Sequence, residues 1–178
     1  MASAPAHTFL GVDPGSAVTG FGVVRRLGSA PPTLVECGVI RTDAARPLAE
    51  RLRDIHDGVR DLLGRHVPDT VVVEDIFFGR NPRTTAVLGH ARGVILLAAA
   101  QAGCELVELS PARIKKAVTG AGAATKEQVQ YMVMQLLRLA RPPQPADAAD
   151  GVAAALAVAL GGRPLAAPPV VALPAGRA

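Results

Sequence analysis

Phe9 to Val12 is a short apolar run that stops at Asp13-Pro14-Gly15, where proline and glycine end a strand and turn the chain. Thr19–Arg26 and Thr33–Arg41 read as two further strands across a Gly-Ser-Ala-Pro-Pro loop, so the chain opens with an antiparallel meander. From Pro47 to His66 the period changes. Leu48, Leu52, Ile55, Val59, Leu62 and Leu63 recur every three or four residues and predict an amphipathic helix. Val71–Glu74 returns to a buried strand, followed by a Gly-Arg-Asn-Pro-Arg loop.

The segment from about Thr84 to Gln101 predicts a helix in which Arg92 is the sole charged residue. A helix so poor in charge is covered on more than one side. One face is expected on the sheet and another, over Leu88–Leu97, against a second copy of the protein. Leu106–Leu109 reads as a strand, Pro111–Val118 as a short helix, Lys126–Leu139 as a longer one and Asp147–Leu160 as the last. A meander followed by strands alternating with helices predicts an α/β domain with a mixed sheet over residues 1–162. Residues 163–178, rich in Pro and Ala, read as a flexible tail.

Composition narrows the class. A chain of 178 residues with 49% hydrophobic content can bury one core. The opening residues lack the basic and apolar regions of a secretory signal. The longest apolar stretches, Val94–Ala100 and Val152–Leu160, are short of the roughly 20 residues that span a bilayer. A cytoplasmic protein with no membrane partner is expected. Cys37 and Cys104 have neither CxxC nor His spacing and are expected as buried core thiols rather than zinc ligands. The net charge of +4 fits a polyanionic partner. Only three of the 19 cations are lysines, and Lys115, Lys116 and Lys126 fall in one short segment. Either a flexible point charge is wanted there, as beside a phosphate, or the three cluster by chance on a solvated face.

Four acids stand where elements end or begin. Asp13 closes the first strand, Glu74 closes the fourth, and Asp147 and Asp150 lie three apart near the start of the last helix, on one face. If the two strands are neighbours, the four carboxylates converge and repel unless a cation sits among them. Such oxygen ligands suit Mg²⁺ or Mn²⁺, and a pair of ions serves phosphodiester cleavage. Singly, each acid has an ordinary explanation as a turn residue, a strand terminus or a first-turn helix acid.

The surrounding residues favour the catalytic reading. Gly11–Val23 (GVDPGSAVTGFGV), Val73–Asn81 (VEDIFFGRN), Leu88–Val94 (LGHARGV), Val118–Val129 (VTGAGAATKEQV) and Gln144–Asp150 (QPADAAD) resemble, in order, the motifs of the RuvC family of Holliday junction resolvases. The resemblance runs from about residue 8 to 160. It implies an RNase H-like fold with a mixed five-stranded sheet, a three-stranded antiparallel meander plus two parallel strands, flanked by helices. It implies that Asp13, Glu74, Asp147 and Asp150 are catalytic and metal-binding, with two Mg²⁺ per subunit. By the same resemblance Lys115 and Lys126 contact DNA phosphate near the cut, and Phe77 wedges into the junction. Arg80 and Arg83, in the loop that follows, are further candidate DNA contacts.

The implied reaction is resolution of four-way DNA junctions by two symmetric nicks leaving 5′-phosphate and 3′-hydroxyl ends. A homodimer supplies the matching twofold symmetry, and the RuvA–RuvB branch-migration complex is the implied partner. Asp75 stands where the family often has Gln, but strand alternation turns it away from Glu74, so it is not counted as a ligand. Some relatives carry His at the position of Asp147. A RuvX-like nuclease or a ribonuclease is the nearest competing reading. A junction-binding module without activity and an actin-like ATPase, whose first phosphate loop looks like Asp13-Pro14-Gly15-Ser16, are more distant.

Overall fold

A computed structural model describes residues 5–75 and 81–161. The proposed tail, 163–178, lies outside the described residues. The elements follow the order β1 (Ala6–Asp13), β2 (Val18–Leu27), β3 (Thr33–Arg41), α1 (Leu48–His66), β4 (Thr70–Glu74), α2 (Pro82–Gln101), β5 (Glu105–Leu109), α3 (Pro111–Thr119), α4 (Lys126–Leu136) and α5 (Ala146–Ala159). The strands form one sheet in the order β3-β2-β1-β4-β5. The first three pair antiparallel, and β1–β4 and β4–β5 pair parallel. This is the expected mixed sheet.

The pleat sorts the core into two layers. Leu10, Val12, Val23, Val71 and Val73 point to one face and meet Ile55, Val59 and Leu62 of α1 and Ala91, Ile95 and Ala98 of α2. Phe9, Val24, Val72, Val107 and Leu109 point to the other, where α5 lies with α3 and α4. The central strands β1 and β4 are therefore apolar on both sides, which is why their sequences are runs rather than alternations.

Helix ends differ from the sequence expectation for local reasons. Helix α2 begins two residues early because the Asn81 side chain accepts from the backbone N–H groups of Arg83 and Thr84, with Pro82 opening the helix. Helix α4 stops at Leu136 rather than Leu139, where Arg138 turns to a left-handed conformation, φ 53°. Leu139 packs against the core from the following loop. Both cysteines pack against the core but are half-buried, at its margin rather than within it.

Candidate active site

The parallel register of β1 and β4 pairs Val12 with Val73, so the next residues, Asp13 and Glu74, emerge side by side at the same sheet edge. Thr19 locks the turn after Asp13: its hydroxyl donates to Gly15 O at 2.7 Å and its side chain is fully buried. The second pair of acids arrives on α5, which crosses β1 and β2 at very short range. A Cβ at Gly20 would stand 1.9 Å from the carbonyl oxygen of Asp147, and one at Gly11 would stand 2.1 Å from that of Gly151. Neither strand position tolerates a side chain. The close approach sets the first turn of α5 over the ends of the strands.

The result is a cleft of about 260 Å³ lined by Asp13, Glu74, Asp150, Lys115 and Lys126, with Pro111, Ile114, Val129 and Ala153 as apolar wall. Lys126 Nζ donates to Asp150 Oδ2 at 2.7 Å. Burial, then repulsion from Asp150 and Asp147, raises the Asp13 pKa to about 7, against a partial lowering by Lys126. Burial, then Asp13 and Asp150, raises Glu74 to about 8, with Lys115 and Lys126 pulling the other way. The hydrogen bond to Asp150 raises the pKa of Lys126.

Half-buried carboxylates that destabilise one another are a donor set of hard oxygens for which a divalent cation is the fitting counter-charge. Among the described residues no three or more acidic, histidine or cysteine side chains stand, as placed, where they could hold a metal ion together. Asp150 is instead engaged by Lys126.

The predicted site residues distribute as follows. Asp13, Glu74, Asp150, Lys115 and Lys126 meet at the cleft. Asp147, one helical turn before Asp150, acts on Asp13 and Lys126 through its charge but does not line the cleft. Arg83 is exposed in the first turn of α2, away from the cleft lining. Phe77 and Arg80 lie outside the described residues. Lys116 is exposed on α3. Asp75 turns away from Glu74, as alternation predicts, and pairs with Arg92 of α2 at 3.3 Å.

Two features escaped the sequence reading. One is the close contact at Gly11 and Gly20, foreshadowed by the combination of strand glycines with an alanine-rich helix. The other is Arg92, which pairs with Glu108 as well as Asp75 and so ties α2 to the ends of β4 and β5.

An antiparallel meander continued by two parallel strands, with acids at the ends of β1 and β4 and at the head of a covering helix, defines the RNase H-like class. Within that class the match is specific. The family model for crossover junction endodeoxyribonuclease RuvC matches residues 9–160, and the chain belongs to this family. It is 48% identical over 147 residues to the RuvC of Pelotomaculum thermopropionicum, covering 83% of this chain and 89% of the relative. Identity to the RuvC of Halorhodospira halophila is 50% over 147 residues, covering 83% and 86% respectively. The solved structure of T. thermophilus RuvC in complex with Holliday junction substrate superposes with a TM-score of 0.83 at 36% identity, over 89% of this chain and 99% of that one.

Proposed function

We propose that this chain resolves four-way DNA junctions by paired, metal-dependent phosphodiester hydrolysis, with Asp13, Glu74, Asp150 and Asp147 holding the metal. The observation that carries the proposal is the meeting of acids from β1, β4 and α5 with two lysines in one cleft. The continuous likeness to a RuvC solved on its junction supports the choice of substrate.

Two Mg²⁺ ions, or Mn²⁺, would supply Lewis acidity and an activated water to a phosphodiester at these carboxylates. The chain's own contribution is positional and electrostatic. With their pKa values raised to about 7 and 8, Asp13 and Glu74 bind metal in competition with protons near neutral pH. Lys115 and Lys126 present positive charge in the same cleft as the acids, where they can draw a phosphate toward the metal site. The apolar wall of Ile114, Val129 and Ala153 limits bulk water on one side. In this reading Phe77 wedges into the junction beside the cut, and Arg80 and Arg83 are further contacts to the DNA.

Two symmetric cuts call for two copies. We assign the dimer contact to α2, where Ala86, Gly89, Gly93, Val94 and Leu97, with Leu52 of α1, line a shallow groove and Leu97 is 51% exposed. Residues 1–162 form the nuclease domain in this reading, and a RuvA–RuvB type of motor is the partner. A cytoplasmic location is part of this reading; among the described residues no helix is long and apolar enough to cross a membrane.

The test is cleavage of a mobile synthetic four-way junction and of a linear duplex of the same sequence, each with and without Mg²⁺. Paired nicks in opposite strands of the junction, sealed by ligase and dependent on the ion, are expected. Equal cutting of the linear duplex would overturn the junction reading, and undiminished cutting in chelator would overturn the metal reading.

A further inference from the structure

The two lysines of the cleft are engaged differently. Lys115 lies near Glu74 and acts through its charge, whereas the Lys126 ammonium sits directly on Asp150. Lys126 is the first residue of α4, and a reciprocal cap fixes its backbone: the Thr125 side chain accepts from the Gln128 N–H, and the Gln128 side chain accepts from the Thr125 N–H. Its four-carbon stem remains free, and the side chain is 49% exposed. Asp150 is the rigid partner. The next residue, Gly151, lies against the Phe21 backbone so closely that a Cβ there would stand 2.5 Å from the Phe21 Cα. With both backbones fixed, the longer and more exposed Lys126 side chain has the greater reach, 49% exposed against 22% for Asp150.

We infer that Lys126 is an exchangeable counter-ion: in the DNA-free protein it occupies Asp150 in competition with a divalent cation, and a DNA phosphate completes the metal site by drawing the lysine away. The inference rests on the metal-binding reading of the cleft. An ammonium and a dication crowded on one carboxylate repel each other, so each weakens the other's hold. A phosphate gives Lys126 another anion within reach of its stem, leaving both Asp150 oxygens to the metal. By linkage, DNA and metal then strengthen each other's binding by a common factor. The free protein is thereby kept from full loading until substrate is present.

A lysine that served only as a phosphate contact would raise DNA-free metal affinity on removal merely by the through-space relief of its charge, as removal of Lys115 does. Calorimetric Ca²⁺ titration of the full chain separates the two roles, first without DNA and then with junction DNA verified to stay intact. Without DNA, Lys126→Met and Lys126→Gln should bind Ca²⁺ at least about fivefold more tightly than wild type, the lower end of ordinary coupling between sites. Lys126→Arg, which keeps the charge, should bind as wild type does, and Lys115→Met should gain less than Lys126→Met. Junction DNA should tighten Ca²⁺ binding in wild type and much less in Lys126→Met.

Unchanged or weaker DNA-free binding in both Lys126→Met and Lys126→Gln, or an equal gain in Lys115→Met, would overturn the inference. Asp13→Asn reports on the underlying reading: it should abolish the same binding isotherm. An isotherm that survives this change would place the ion elsewhere and overturn both conclusions.

Discussion

The parallel strands carry acids at both ends, and the two ends treat them in opposite ways. At the N-terminal end Asp69 accepts the Thr8 N–H at 2.7 Å, its own N–H donates to Thr8 O, and its carbonyl accepts from Glu105 N–H. Glu105 accepts the Thr70 hydroxyl at 2.9 Å, and His7 Nε2 stands 2.9 Å from that hydroxyl. Each carboxylate has a donor. At the C-terminal end Asp13 and Glu74 face other acids across a half-buried cleft, and their pKa values rise to about 7 and 8. One end is a finished hydrogen-bond network; at the other Asp150 pairs with Lys126, while burial and neighbouring acids raise Asp13 and Glu74 despite the lysines nearby. Acid content alone does not mark a site; acids brought together and left short of partners do.

The sharpest way to break the contrast is to neutralise the C-terminal end, proposed as the active one. Asp13→Asn or Glu74→Gln should reduce junction cleavage by more than about a hundredfold, since loss of a mere supporting partner of a metal ligand costs ten- to a hundredfold. Junction binding in a gel-shift assay should persist. Cleavage at the wild-type rate by both variants would remove these acids from the catalytic set.

The same end should govern the pH dependence of stability. Between the ordinary values of 3.8 and 4.5 and the raised values of about 7 and 8, the folded, metal-free protein holds more protons at Asp13 and Glu74 than the unfolded chain does. Their contribution is therefore fully present below the ordinary range and is lost as pH rises through the raised values. The difference in melting temperature between wild type and the Asp13→Asn/Glu74→Gln double variant should widen in the variant's favour over that window. Added Mg²⁺ should stabilise wild type more than the variant. A difference that stays constant with pH would contradict the assigned charge states.

A change behind the site tests whether geometry, rather than charge, makes the active end. Gly20→Ala forces α5 away from β2, and overpacking of this kind costs about 1–3 kcal/mol. Cleavage should fall with stability although all four acids remain, as read by urea unfolding and junction assay. At the opposite end Asp69→Ala removes one acceptor at an exposed position and should cost about 1 kcal/mol with cleavage intact. Smallest is Gly64→Ala near the end of α1, where a Cβ meets nothing within 4 Å. It should stabilise by roughly 0.5–1 kcal/mol, the helical preference of Ala over Gly, without altering cleavage.

Much of this was legible from order along the chain. Among the described residues, apolar runs located β1 and β4, a repeat of three to four located α1 and poverty in charge located α2, because which residues face the core is largely a local property of the chain. The acids at element ends and the segment holding all three lysines were visible for the same reason, as was the turning away of Asp75 from Glu74. Periodicity was weakest at helix ends. The left-handed Arg138 that ends α4 and the Asn81 side chain that starts α2 early depend on single backbone and side-chain choices.

By itself the sequence determined the elements, the mixed α/β class and the identity of the acids. Only the tertiary structure decided that Asp13 and Glu74 stand on neighbouring strands, that Gly20 lets α5 approach until Asp150 joins them, and that Lys126 rather than Lys115 holds Asp150. The physical reason is range. Helix and strand preferences act between residues a few positions apart, whereas the charge interactions of the cleft depend on distances between side chains that are remote along the chain and are set by the packing of α5 on the sheet.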